Sequence, residues 1–567
     1  MANEPRNILI LAVTRMGDLL QASPTIHGMK KDFNGARVTV LVDKGFASIC
    51  RGIPGIDEIY EIDVGMIVRS LQREATGIID AYDYLSDIVE DLKSKEFDYC
   101  MNMSSSGYTA LLMKMLNIED SRGWIADDEG HRIISSPWSM LFAAYIYHAN
   151  RHYNSINLVD TVRCVAGVQN HSKGLVYNIP EDVVPFADKF LEEKGYDGDS
   201  PVICLQAGAS QGKRQWAPSK FATLLRILVE DKGATVVLTG SKEEKNISDA
   251  ILGLYSHEKI ISAVGETSLS ELSSILNRAD LLITGDTGPM HLSVAVKTPV
   301  VALFLASALC YETGPYSEGN IVLQPQISCS PCNPNFKCPR TDCHSQITPE
   351  LVAELSILRA QTPMGEIPSI EHCLNLAPAD QVAVYYSHFD DEGFLDFKVL
   401  NGNSAKNGYH KGFFPAAQRA YRTLWKEEFG ITKPNSFSLR KANGRLRVFD
   451  EKMETDQGIL ETLNQCETGV KTSNELIELI KDTNSSPQLL GAVSQQIQQI
   501  NSNIENLGLV YPVFGALVRM FVMENENLRG EDPVLLASDT RELYKTLGNR
   551  SKRFGELFAH YVETFQG

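Results

Sequence analysis

The stretch Ala279–Phe304 reads Ala-Asp-Leu-Leu-Ile-Thr-Gly-Asp-Thr-Gly-Pro-Met-His-Leu-Ser-Val-Ala-Val-Lys-Thr-Pro-Val-Val-Ala-Leu-Phe. Leu281–Thr284 is a short apolar run, which suits a strand buried on both faces of a parallel sheet. The run breaks at Gly285-Asp286-Thr287-Gly288, and the pattern predicts a helix of about ten residues from Pro289, a residue favoured in a first helical turn. A second apolar strand follows over Val300–Phe304. Strand, glycine-rich turn, helix and strand make one unit of a parallel α/β sheet. Unpaired N–H groups at the helix N-terminus, with Gly and Thr beside them, form a site for phosphate. Taken alone, the same residues also read as an ordinary turn with Asp286 and Thr287 as caps, so the stretches upstream decide.

Asn7–Val13 is an apolar strand, followed by Thr14-Arg15-Met16-Gly17-Asp18, a helix to about Asp32 and a strand over Arg37–Val42. Gly17 and Asp18 fall where strand meets helix, at the carboxyl edge of the sheet where open α/β sheets bind ligands. Asp18 also fits the plain role of a first-turn helix carboxylate. Further elements are expected at Phe97–Met103 (strand), Gly107–Leu116 (helix) and His152–Gly167 (helix), with a linker over Val176–Pro185. A second series begins with the strand Pro201–Gln206. It continues through the loop Ala207–Pro218, which carries Ser210, Lys213, Arg214 and Trp216, into an amphipathic helix from Ser219 to Asp231. Ala234–Thr239 is a strand ending near Glu244, and Ser268 stands where it can cap a helix running to Arg278.

Three separated signatures resemble the bacterial ADP-heptose heptosyltransferases, glycosyltransferase family 9. They are Met16-Gly17-Asp18 with Pro24 in the following helix, the Ser210–Pro218 loop with Lys-Arg and Trp-x-Pro, and Asp286-Thr287-Gly288-Pro289-Met290-His291 with Pro299 and Phe304. The resemblance covers about residues 6–358. It implies a GT-B fold of two Rossmann-like domains facing a cleft, the acceptor mostly on the first and the nucleotide-sugar donor on the second. Two departures stand out. An extra residue between the cations and Trp216 leaves open whether Lys213 or Arg214 reaches phosphate. After Phe304 the chain runs Leu305-Ala306-Ser307 where the family has Gly-Pro, and Gly314-Pro315-Tyr316 comes only later.

The chemistry expected of such a site is stabilisation of charge on a departing nucleotide, supplied by a metal or by fixed donors. No Asp-x-Asp of the metal-dependent kind stands at a strand end, so Ser210, Lys213, Arg214, Asp286, Thr287, Gly288 and the helix terminus are the expected donor-side residues, with no catalytic metal. Asp18 is placed to take the acceptor's proton. Glu244 is expected at the ribose, and His291 either at donor phosphate or packing helix against sheet. A sugar-nucleotide-binding protein that transfers nothing and acts through its C-terminal part is the competing reading.

At 567 residues, with 43% hydrophobic and 22% charged residues, the composition is that of a soluble globular chain of two or three domains. A net charge of −18 argues against nucleic acid as partner. The polar start and the lack of a long apolar run point to a cytoplasmic protein, at most peripheral to the inner membrane. The eleven cysteines are not a disulfide framework. Four of them, Cys329, Cys332, Cys338 and Cys343, lie within one Pro-rich loop at spacings that suit a structural zinc or iron site. The resemblance implies a lipid-linked saccharide or a protein hydroxyl as acceptor.

Beyond about Gln361 the resemblance ends. Gln381–Phe389 and Phe394–Leu400 alternate about Asp-Asp-Glu-Gly as a β-hairpin. Pro415–Phe429, Asn474–Lys481, Ser494–Leu507, Tyr511–Asn525 and Asp539–Phe565 read as helices. Ile497, Ile500, Ile504 and Leu507 form a seam for another helix, in this chain or in self-association. The expected division is 1–175 for an acceptor-side Rossmann-like domain, 185–360 for the nucleotide-sugar domain with the cysteine cluster, and 370–567 for a mainly helical accessory domain.

Overall fold

The apolar runs of the first third become a six-stranded sheet. Its strands are β1 (Asn7–Ala12), β2 (Arg37–Asp43), β3 (Glu58–Ile62), β4 (Tyr99–Asn102), β5 (Asp120–Ala126) and β6 (Arg132–Ile134), in the spatial order β3-β2-β1-β4-β5-β6. All pair in parallel except β6, which turns back antiparallel on β5. Ile8 to Ala12 are buried without alternation, as a central parallel strand requires. The computed structural model describes residues 7–73, 76–402, 413–434 and 450–566.

The second sheet has eight strands: β7 (Val202–Gln206), β8 (Thr235–Thr239), β9 (Ile260–Ser262), β10 (Leu281–Gly285), β11 (Val300–Leu303), β12 (Ile321–Pro325), β13 (Val382–Phe389) and β14 (Leu395–Val399). Their order is β14-β13-β12-β11-β10-β7-β8-β9. β10 lies between β7 and β11 and is parallel to both, at the centre of the parallel part. The expected hairpin exists, but it does not belong with the helices that follow it. β13 pairs antiparallel with β12, from Ile321↔Tyr386 to Pro325↔Val382, and so extends the second sheet. Its inward residues Val382, Val384 and Tyr386 are buried there. The alternation was legible in the sequence; the partner was not, because β12 lies more than fifty residues upstream.

The helix Met16–Asp32 carries Pro24 in its interior. A proline there removes the N–H that would bond the carbonyl four residues back. That carbonyl belongs to Leu20, and the Ser23 hydroxyl donates to it at 2.6 Å. The Ser23 oxygen in turn accepts the N–H of Val176 at 2.9 Å. The expected helix His152–Gly167 is shorter, Leu158–Ala166, because Asn157 caps it by accepting from the Val159 N–H at 3.0 Å. On this helix Asp160 is fully buried. It accepts from Arg163 Nε at 3.0 Å, from the Tyr316 hydroxyl at 2.8 Å and from the Leu395 N–H at 2.9 Å. Tyr316 is thus a structural anchor rather than the cleft residue its place after Gly314-Pro315 allows.

The chain separates into two compact units: Met1–Ser135 with Ile156–Tyr409, and Ser136–Ser155 with His410–Gly567. The first holds both sheets. The second is built of the helices Phe413–Glu428, Asp450–Lys481, Pro487–Val510, Gly515–Glu526 and Pro533–Gln566, together with Pro137–Ile146 from the first third of the chain. Tyr421, Trp425, Phe554 and Phe558 form its aromatic centre, and Trp425 donates its indole N–H to the Tyr145 hydroxyl at 2.9 Å. The expected seam closes inside this unit. Ile500 and Ile504 are buried where the helix Pro487–Val510 packs on Asp450–Lys481. Among the described residues no single helix is long and apolar enough to cross a membrane.

Candidate active site

β1 ends at Ala12, and after three intervening residues the helix Met16–Asp32 begins. Asp18, in its first turn, accepts the Arg15 N–H at 3.3 Å, so the plain capping role is real. Burial pushes the Asp18 carboxyl up from the ordinary carboxylate range. The Arg15 hydrogen bond and charge pull it down, and the nearby negative charge of Asp286 adds to the rise. Asp18 therefore lies within electrostatic reach of the donor-side turn.

On the other side β10 ends at Gly285, and the eight-residue helix Gly288–Ala295 starts after Thr287. The N-terminal turns of the two helices meet. A Cβ on Gly288 would lie 2.3 Å from Met16 Cε, and one on Gly17 would lie 3.0 Å from His291 Cδ2. Gly17 leaves room for the His291 ring, whereas the atom facing Gly288 is the end of a flexible methionine side chain. Thr287 is fixed by a 2.8 Å contact between its hydroxyl and that of Thr284. His291 is buried, and burial pushes its pKa down to about 4, so the ring is neutral. It lies against the helix Met16–Asp32 at Gly17 and Gln21.

The two adjacent cations of the loop Ala207–Pro218 take different partners. Lys213 gives its ammonium to the carbonyls of Asn333, Pro334 and Phe336, each at 2.8 Å. Its three donors are spent on the cysteine loop. Arg214 donates from Nη1 to Asp286 at 3.0 Å and from Nε to the Ser307 hydroxyl at 2.8 Å. Arg214 is thus the cation at the end of β10. Ser307 stands out in the sequence only as part of the departure from the family's Gly-Pro, and only the fold reveals that it holds Arg214. Trp216 is buried against Phe221, anchoring the loop, and Pro218 opens the helix Pro218–Arg226. Ser210 is exposed on the loop. Glu244 accepts from both Gln206 Nε2, at 3.1 Å, and the Ser241 N–H, at 2.8 Å. These bonds place its carboxylate beside the end of β7.

The four clustered cysteines share one loop, Cys329 exposed and Cys343 buried. Among the described residues, only Asp127, Glu129 and His131 bring three ligand atoms within 4.8 Å of one another. The four sulfurs fit zinc or iron in kind, but a tetrahedral thiolate site with bonds of about 2.3 Å needs them closer together than they stand. The loop is tied to the site in two places: by Lys213, and by the Cys332 N–H bonded to the Ala306 carbonyl at 3.0 Å.

Replacing Lys213 with Met leaves three carbonyls without their cation, at a cost of about 1–3 kcal/mol. The expected result is a lower thermal midpoint and faster protease nicking within residues 329–343, with ADP affinity kept within about twofold because Arg214 stays in place. Differential scanning fluorimetry, limited proteolysis and calorimetric titration would check each part.

Two Rossmann-like sheets, each followed by a helix-opening turn at a strand end, make the GT-B fold. Residues 86–339 match the profile of glycosyltransferase family 9 (heptosyltransferase). Over that stretch the chain is similar to this heptosyltransferase family. It is similar to lipopolysaccharide heptosyltransferase 3 of Escherichia coli, 25% identical over 293 residues, or 51% of this chain and 81% of that one. It is also similar to the lipopolysaccharide core heptosyltransferase OpsX of Haemophilus influenzae, 23% identical over 331 residues, 55% of this chain and 83% of that one. Its fold resembles the crystal structure of a family 9 glycosyl transferase from Veillonella parvula, with a TM-score of 0.52 at 20% identity, covering 63% of this chain and 97% of that one.

Proposed function

We propose that this enzyme transfers heptose from ADP-heptose to a hydroxyl acceptor, with inversion and without a catalytic metal. The observation that carries the reading is the approach of the Asp18 turn to the turn holding Asp286, Thr287 and Gly288, to which Arg214 is bonded from its own loop. Asp18 removes the acceptor proton as the hydroxyl attacks the anomeric carbon. The bond to the diphosphate breaks on the opposite face, which inverts the centre. The departing ADP takes its charge onto Arg214 and the helix N-terminus at Gly288, with Ser210 on the same loop. Glu244 stands where it can accept from the ribose hydroxyls. The names of the similar proteins favour a saccharide of the lipopolysaccharide core as acceptor, at the cytoplasmic side; a protein hydroxyl is the other acceptor the chemistry admits.

The test is mass spectrometry after incubation with labelled ADP-heptose and either lipopolysaccharide acceptor or whole lysate, with and without EDTA. Label in the lipid fraction at undiminished rate in EDTA is the expected result. Label only in protein would move the acceptor, and consumption of the donor with no glycosylated product would overturn transfer.

The cysteine loop is proposed to hold one structural zinc or iron. Binding would draw the four thiols together, with the Lys213 ammonium near Cys332 to offset the thiolate charge. A closed ligand shell leaves no open position for substrate. Elemental analysis of protein purified without added metal should find close to one equivalent, and Cys332→Ser should lose it and lower the thermal midpoint. Metal-free protein with four freely titrating thiols in the loop would sink the idea.

A further inference from the structure

The helix that carries Asp18 also carries Gln21, one turn further on. Gln21 is 2% exposed and His291 is 5% exposed, and their Nε2 atoms stand 3.4 Å apart. This is a polar contact buried between the acceptor-side helix and the donor-side helix, next to the close approach of Gly17 to the same ring. We propose that Gln21 and His291 form a bearing between the two helices that sets the distance from the Asp18 carboxylate to the donor-side turn, so that both are positioning residues for the transfer. The inference rests on the proposed reaction for its kinetic meaning, but not for its geometry.

Three features support it. First, the contact is neutral. Burial lowers the His291 pKa, so an uncharged ring meets an amide and the contact holds unchanged across the working pH range. Second, His291 Nδ1 is buried without a hydrogen-bond partner. An unpaired buried nitrogen costs stability, and an unbranched apolar side chain would fill the same notch without that cost. The ring is therefore a poor choice for packing alone. Third, the groups brought into register lie immediately beside the contact. Asp18 and Arg15 belong to one helix terminus, Asp286 and Arg214 to the other side, and Asp18 senses both Arg15 and Asp286. A shift of one helix past the other would move the base relative to the donor, and a displacement of about 1 Å is enough to slow a positioned reaction severely.

Gln21→Met, His291→Met and the double variant test this. Thermal midpoints should stay level or rise, whereas kcat should fall about tenfold or more in each single variant. The double variant should be no slower than either single one, as for two halves of one contact. Calorimetric titration with ADP should give an unchanged Kd. The acid limb of the kcat/KM profile should move down, because Asp286 no longer stands at its set distance from Asp18. Hydrogen exchange reads the bearing without turnover: peptides covering residues 16–22 and 286–293 should exchange faster in Gln21→Met. Unchanged exchange overturns the bearing even if the wild-type chain transfers nothing to the acceptors tried. Weakened ADP binding in His291→Met with a silent Gln21→Met overturns it too, and makes His291 a donor ligand. Absence of transfer by the wild-type enzyme, with exchange altered as expected, would instead count against the reaction alone.

Discussion

Asp18→Asn is expected to lower kcat for heptosyl transfer by about 10²–10⁴-fold, the usual contribution of a positioned general base, while leaving ADP affinity unchanged. The amide keeps the size of the carboxyl and can still accept the Arg15 N–H, so the helix start survives. What disappears is a proton acceptor beside the donor turn. Because burial raises the Asp18 pKa, the acid limb of kcat/KM in the wild-type enzyme should lie above the ordinary aspartate value of about 3.9, and the residual activity of the variant should lack that limb. Stability should move the other way. A carboxyl whose folded pKa is raised favours folding when protonated, and that advantage is lost as pH rises through the folded value. At neutral pH the wild-type chain carries the charge at a cost, so Asp18→Asn should melt higher, with the difference shrinking below the normal carboxylate range. Thermal melts between pH 4 and 8 would read this. A variant of full activity would remove Asp18 as the base.

The parts of this fold legible in the sequence are those set by local periodicity. β10, its turn and the helix after it follow from an apolar run, two glycines and a proline; the strand bounds and the helix start fall within a residue of the reading, while the helix has eight residues rather than about ten. Ser268 caps its helix, accepting the Glu271 N–H at 3.3 Å, as expected from its place before the run. Contacts between distant segments were hidden. Nothing in Pro137–Ile146 announces that it packs with residues beyond 410, because an apolar helix has no marker for its partner. Lys213 and Arg214 are adjacent cations in one loop, and only the folded backbone sends one to the cysteine loop and the other to Asp286. Gln21 gave no signal at all: a lone glutamine in a helix is ordinarily solvated, and its burial depends on a residue 270 positions away.

Arg214→Met should be the second severe lesion, and for a different reason. Arg214 is mostly buried, and its guanidinium is held from two directions, by Asp286 and by the Ser307 hydroxyl. Held so, it needs little reorganisation when charge appears on the departing diphosphate, which is where fixed donors gain most. Its loss should cut kcat by about 10²–10³-fold, roughly 3–4 kcal/mol of barrier, and should also weaken ADP binding, unlike the loss of Asp18. The deletion leaves Asp286 without its cation beside Asp18. Two carboxylates would then face each other with less compensation, so the acid limb should shift further up. Arg214→Lys separates charge from geometry. An ammonium restores the positive charge, but it cannot keep the fork that reaches Ser307 and Asp286 together. Recovery of ADP binding with only partial recovery of kcat would place the catalytic value of Arg214 in its fixed orientation. Full recovery by lysine would show that a cation alone is enough, and that Ser307 serves only the loop.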